Sequence, residues 1–247
     1  VSIDGRQRAL ASFSVGAGAS VDTVLRFTGE APGRHWGEIA LNDRPVTFDD
    51  QLFIGFGVTD RLRVLLVSGG DAESDRSVAA VFSGDSLHRF TQQTAQLLDL
   101  SGLAQQDLVV LNALPPVASG VQDALESFVR AGGSVVVFPP ANADAAGHAA
   151  LLQRLGATAS TQSDTSRMKV DRIDLQHPFY RDVFQTMPRN VDLPWSRQRW
   201  TLRPRPGSDV LLRLQDGSPF LVRTTVDRGS VYLCAAPLAE GANNLTQ

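Results

Sequence analysis

Residues 107–140 constrain the fold of this chain more than any other stretch. Leu108-Val-Val-Leu111 is a short, unbroken apolar run, which suits a strand buried on both faces. Ser119 is placed to cap a following helix, in which Val121, Leu125, Phe128 and Val129 form one apolar stripe. Gly132-Gly133 ends that helix, and Val135 to Phe138 reads as a second buried strand. Strand, helix and strand at this spacing make a right-handed βαβ unit. Open parallel sheets bind ligands beyond the carboxyl ends of their strands. Here those ends are Asn112-Ala-Leu-Pro115 and Pro139-Pro-Ala-Asn142, which carry no nucleophile, carboxylate pair or metal-ligand cluster.

The rest of the chain extends this unit. Val64-Leu-Leu-Val67 is the expected first parallel strand, ending in Ser68-Gly69-Gly70. That tight turn is a place where backbone N–H groups can meet an anion, although a plain turn is the commoner outcome. A helix is expected from Asp75, its cap, to Phe82, and a strand within 87–98. Beyond Pro140 the pattern predicts a helix over 145–155, a strand over Met168–Asp174 and a helical turn over His177–Phe184. Four further strands follow, at 199–203, 209–214, 219–224 and 229–235, with a hairpin signal at Asp216-Gly217. Before Asp60 the pattern is all strand: 8–15, 21–27, 36–41 and 46–58 alternate between polar turns. The expected architecture is therefore two domains. Residues 1–60 form a partial Ig-like β-sandwich. Residues 61–247 form a flavodoxin-like α/β domain, its sheet mostly parallel with an antiparallel extension.

Composition narrows the function. The net charge of −3 gives no electrostatic case for nucleic acid. No apolar run approaches the ~18 residues that span a bilayer. Cys234 is the single cysteine, so an internal disulfide and a cysteine-based metal site are excluded, and the four histidines show no metal-ligand spacing. No cofactor motif is present. The chain opens on Val1 in strand-like sequence and closes on Asn243-Asn-Leu-Thr-Gln247, which suggests a piece of a longer protein.

The binding candidates are Ser68, Gly69, Gly70, Asn112 and Asn142 at the strand ends, and Trp195 with Arg197 in Pro194-Trp-Ser-Arg-Gln-Arg-Trp200. Tryptophan and arginine dominate binding hot spots. The bland alternative puts Trp200 in the core and leaves Trp195 pinning a loop. Asp71, Glu73 and Asp75 are either a cation site or, more commonly, a solvated acidic loop. A relocated catalytic site would draw on Asp71, Asn112, His177 or Cys234.

These residues resemble a known family. The strands at 64–68, 107–111 and 132–138 are similar to those of the class I glutamine amidotransferase-like domain. Phe48-Asp-Asp-Gln-Leu-Phe53, His177-Pro-Phe-Tyr-Arg-Asp-Val-Phe184, Asp216-Gly-Ser-Pro219 and Gly229-Ser-Val-Tyr-Leu233 look like the soluble region of bacterial BatA-like membrane proteins. The resemblance implies an amidotransferase-like fold after an Ig-like sandwich, transmembrane helices outside this stretch, a periplasmic location and a protein partner at the cell envelope. Active amidotransferases carry a cysteine at the turn after the strand that here is Ser134 to Phe138. This chain has Pro139-Pro140-Ala141 instead, which removes the nucleophile and the backbone donors beside it. The resemblance thus implies a non-catalytic module without cofactor or metal.

Overall fold

A computed structural model describes residues 1–42, 50–84, 86–141, 144–161, 166–173, 177–180 and 193–246. The chain divides into two units, Val1–Arg61 and Leu62–Gln247.

In the first unit, β1 (Ser2–Ile3), β2 (Arg6–Gln7), β3 (Gly33–Ala40) and β4 (Gln51–Val58) form one antiparallel sheet in the order β2-β1-β3-β4. Its spine is the β3–β4 pair, in register from Gly33↔Val58 to Ala40↔Gln51. The strands expected at 8–15 and 21–27 do not form; 8–32 holds no strand or helix. Alternation gives a strand two faces but not a partner, and an unpaired strand is not stable alone. A single sheet thus replaces the expected sandwich. Ile3 is buried, but many apolar side chains of this unit stay in water: Leu10, Val24, Leu52 and Phe53 are all more than half exposed.

The second unit holds β5 (Leu62–Ser68), α1 (Ala72–Phe82), β6 (His88–Thr94), β7 (Leu108–Asn112), α2 (Ser119–Arg130) and β8 (Ser134–Phe138). Then come α3 (Ala149–Arg154), β9 (Ala159–Thr161), β10 (Met168–Ile173), β11 (Trp195–Ser196), β12 (Trp200–Leu202), β13 (Asp209–Leu214), β14 (Pro219–Val226) and β15 (Gly229–Cys234). Nine strands form one sheet in the order β11-β10-β13-β14-β15-β8-β7-β5-β6, and β9 pairs β12 separately.

The mostly parallel, flavodoxin-like expectation does not hold. The pairings β15–β8, β8–β7, β7–β5 and β5–β6 are parallel. The pairings β11–β10, β10–β13, β13–β14 and β14–β15 are antiparallel. The sheet is mixed in equal parts, and what read as an extension is half of it. The pivot is β15. A tight turn at Asp227-Arg228 forces it antiparallel to β14, and its free edge then meets β8 in parallel. Gly229 makes the junction possible, because a Cβ there would overlap the carbonyl oxygens of Val129 and Gly133.

The two faces of the sheet are covered unequally. Leu65, Val67, Val109, Leu111, Val135 and Val137 point to the face packed by Leu125, Phe128 and Val129 of α2 and by α3. Burying side chains of this size stabilises by about 1.5–3 kcal/mol each. Val64, Leu66 and Val110 alternate to the opposite face, against Val78 of α1. There β8 is only half-covered, since Ser134, Val136 and Phe138 are partly exposed.

Candidate functional site

The carboxyl ends of β5 and β7 bring Ser68, Gly69, Gly70 and Asn112 together, as the crevice argument requires. Asn142 lies outside the described residues. The group includes two side chains from α1, Ser74 and Asp75. Ser68, Ser74, Asp75 and Asn112 are 2%, 1%, 4% and 0% exposed. The Asp75 carboxylate is the hub. Ser68 Oγ donates to its Oδ2, Gln92 Nε2 donates to the same oxygen at 3.2 Å, and Asn112 Nδ2 donates to Oδ1 at 2.7 Å. Asn112 Nδ2 also donates to Ser74 Oγ at 2.7 Å.

This geometry corrects two local readings. Asp75 does not cap α1. Asp71 does, accepting from the Glu73 and Ser74 amides at 3.2 and 3.3 Å, which leaves Asp75 on the buried side of the first turn. On α2, the N-cap position falls to Ala118, and Ser119 is the first helical residue. The Ser68-Gly69-Gly70 turn also does not present its amides to an anion. Gly69 N–H donates to Asn112 O at 2.8 Å, and Gly70 N–H donates to Ser68 Oγ at 3.0 Å. Gly69 is required there because a Cβ would overlap the Ala113 carbonyl; Ala113 itself has φ 52°.

The acidic residues after Gly70 diverge. Asp71 is the cap and Asp75 is buried. Glu73 reaches Glu240 instead, and the carboxyl–carboxyl hydrogen bond between them raises its pKa. No cluster of metal-ligating side chains occurs among the described residues.

Cys234 sits at the end of β15, 3% exposed, and burial pushes its thiol up to about 12. A thiol so placed carries no thiolate at neutral pH. His177 accepts from the Phe179 amide at 3.1 Å and lies 3.5 Å from Asp209 Oδ2. Beyond β8, Pro139 is buried, and the Phe138 carbonyl accepts from the Ala113 amide at 3.1 Å.

Trp195 and Arg197 lie elsewhere, at the β11 edge of the sheet. Trp200 is 4% exposed and packs on the buried His148 ring at 5.2 Å, so it belongs to the core. Trp195 is half-buried. The Arg167 guanidinium lies 4.1 Å from its ring centroid and that of Arg197 lies 5.9 Å away, both within cation–π reach. Sequence reasoning missed Arg167, which sits next to a polar stretch and meets Trp195 only because β10 and β11 pair.

An apolar cavity was also missed. It is a trough of about 570 Å³ on the half-covered sheet face, lined by Val64, Phe82, Leu108, Val136, Leu221 and Tyr232. Its lining also includes Leu62, His88, Asp107 and Ser134, at the amino ends of the parallel strands.

No protein-family model matches this chain, and no curated protein matches it in sequence. Solved structures do resemble it. Cytoplasmic Protein STM1381 from Salmonella typhimurium LT2 matches with TM-score 0.56 and 12% identity, over 86% of this chain and 87% of that one. Cytoplasmic Protein STM3548 from Salmonella typhimurium matches with TM-score 0.51 and 10% identity, over 85% and 87%. The mmIFT52 N-terminal domain matches with TM-score 0.50 and 10% identity, over 70% and 86%. At these identities the likeness is one of fold.

Proposed function

We propose that this chain is a non-catalytic binding or scaffolding module that makes protein–protein contact as the extracytoplasmic part of a larger bacterial membrane protein. One observation carries the non-catalytic half. The polar groups at the strand ends are buried and mostly bond to one another: the Ser68 hydroxyl, both Asn112 donors and both Asp75 oxygens are engaged internally, while Asn112 Oδ1 has no partner but is sealed from solvent. A catalytic group needs a free lone pair or proton aimed at a substrate. The protonated, buried Cys234 supports the same reading. The envelope location rests on the BatA-like resemblance.

The test is direct. Purified protein is incubated with glutamine and a panel of esters and amides, and no turnover above buffer is expected. Turnover that disappears in Ser68→Ala or Cys234→Ala would sink the proposal. For location, alkaline phosphatase joined after Gln247 in the natural reading frame is expected to be active, since that reporter works only outside the cytoplasm. Inactive fusions would remove the envelope assignment.

The trough supports a second reading, a small-ligand binding domain. Its size falls within the ~300–1,000 Å³ of ligand sites, and its lining is overwhelmingly apolar. Such a site would take an apolar molecule rather than a sugar. Thermal shift against apolar and polar compound sets checks this, and stabilisation confined to the polar set would remove it.

A further inference from the structure

The β11 edge carries a group of side chains that the strand-end network does not use. Arg167 and Arg197 are exposed, and neither forms an ion pair with a carboxylate among the described residues. Both are held near one indole rather than left free in solvent. The support beneath them is buried. Arg199, 8% exposed, donates from Nη1 to Ser166 O at 3.1 Å and to Ser196 O at 3.3 Å, tying the residue before Arg167 to the residue after Trp195. Asn244 Oδ1 accepts from the Trp195 amide at 2.8 Å, and the Ala242 carbonyl accepts from the Arg197 amide at 2.8 Å. The backbone on both sides of the indole is therefore pinned.

From this arrangement we infer that Trp195, Arg167 and Arg197 dock an acidic peptide segment of a partner protein. The two guanidiniums take its carboxylates, and the indole packs on its backbone or apolar atoms. The inference deepens the binding-module reading and rests on it. Charge complementarity selects the partner. Each guanidinium presents paired donors that match a carboxylate, and stacking on the indole removes part of the freedom a long side chain otherwise loses on binding. The overall charge of −3 opposes a broadly anionic surface such as a membrane or nucleic acid, while a local pair of cations suits a short acidic stretch.

The experiment uses the full 247-residue chain and a fluorescein-labelled peptide of alternating glutamate and glycine. Fluorescence anisotropy is expected to show binding that weakens several-fold between about 50 and about 500 mM salt, because exposed charges are screened within about 10 Å at 0.1 M. The glutamine–glycine peptide is expected not to bind. Replacing both Arg167 and Arg197 by Gln should weaken binding about ten-fold or more, and Trp195→Phe, which keeps an aromatic face, by less. Arg76→Gln, the loss of one exposed charge on α1, should change it less than about two-fold. Thermal melts confirm that each variant folds, and Trp195→Phe decides the matter if the double variant does not. The inference is overturned if the acidic peptide fails to bind, if Arg76→Gln weakens it as much as the double variant, or if phosphatidylglycerol vesicles depend on the two arginines while the peptide does not. Glutamine and ester turnover measured on the same samples separates the failures. Turnover with intact peptide binding would sink the non-catalytic reading alone, and neither turnover nor binding would sink this site alone.

Discussion

The strand-end network and the β11 patch are both built from polar side chains, and they solve opposite problems. Asp75 is buried and surrounded by donors, so its charge is spent inside the molecule. Arg167 and Arg197 are exposed and held near an indole, so their charges are offered outward. A buried ion that is fully hydrogen-bonded holds a structure together, and its removal strands the groups around it. An exposed ion contributes little to stability and remains available for contact. The lesson is that polar residues at a sheet's carboxyl rim can be spent on one another rather than offered to a ligand. What matters is whether their hydrogen bonds are already taken.

This contrast can be broken most sharply at its centre. Asp75→Ala leaves Ser68, Asn112 and Gln92 donors without their acceptor, and should cost about 3–5 kcal/mol in urea denaturation. A loss under about 1 kcal/mol would mean that the network is not structural. Gly69→Ala comes next. Its new methyl meets the Ala113 carbonyl, and moving backbone to make room should cost about 2–4 kcal/mol. If Gly69→Ala melts like wild type, the turn is looser than described.

The third prediction concerns pH. Below about pH 8.5 the Cys234 thiol is protonated whether the chain is folded or not. Above that, the unfolded thiol ionises while the folded one keeps its proton up to about 12. The folded-state value is the raised one, so this contribution is present at neutral pH and is lost as pH climbs toward 12. Stability should fall with a slope of up to about 1.4 kcal/mol per pH unit more than in Cys234→Ala. Equal slopes would place the thiol in water. The smallest effect belongs to the patch: the double Arg167/Arg197 variant should melt within experimental error of wild type. A clear drop would make the patch structural and erase the contrast.

Much of the second unit is legible in the sequence because its signals are local. The apolar runs at 64–67, 108–111 and 135–138 are strands, and the stripe of Val121, Leu125, Phe128 and Val129 is a helix face. Sheet composition is not local. Asp227-Arg228-Gly229 announces a turn, but only the assembled edge of β8 decides that β15 pairs with it in parallel. That one long-range pairing makes the sheet mixed. The first unit shows the same limit from the other side. Residues 8–27 alternate well, and nothing local reveals that they find no partner strand.

For the site, Ser68 and Asn112 lie side by side at the ends of β5 and β7. Asp75, which joins them, reads in the sequence as a helix cap, a place that Asp71 takes in the structure. The stacking of Arg167, just before β10, on Trp195 of β11 depends on the pairing of those strands, which sequence spacing does not encode. Asn142 and the 181–184 part of the expected helical turn fall outside the described residues.

The position of β15 bears on how the chain is made. A ribosome releases β8 roughly ninety residues before β15, which at 5–20 residues per second is of order ten seconds. Throughout that interval the nascent β8 has a bare edge flanked by Val135, Val136 and Val137, the kind of surface that recruits foreign strands. Vectorial synthesis therefore exposes this chain to an aggregation hazard midway, and substitutions that delay the closing hairpin should lower soluble yield more than they lower the melting point.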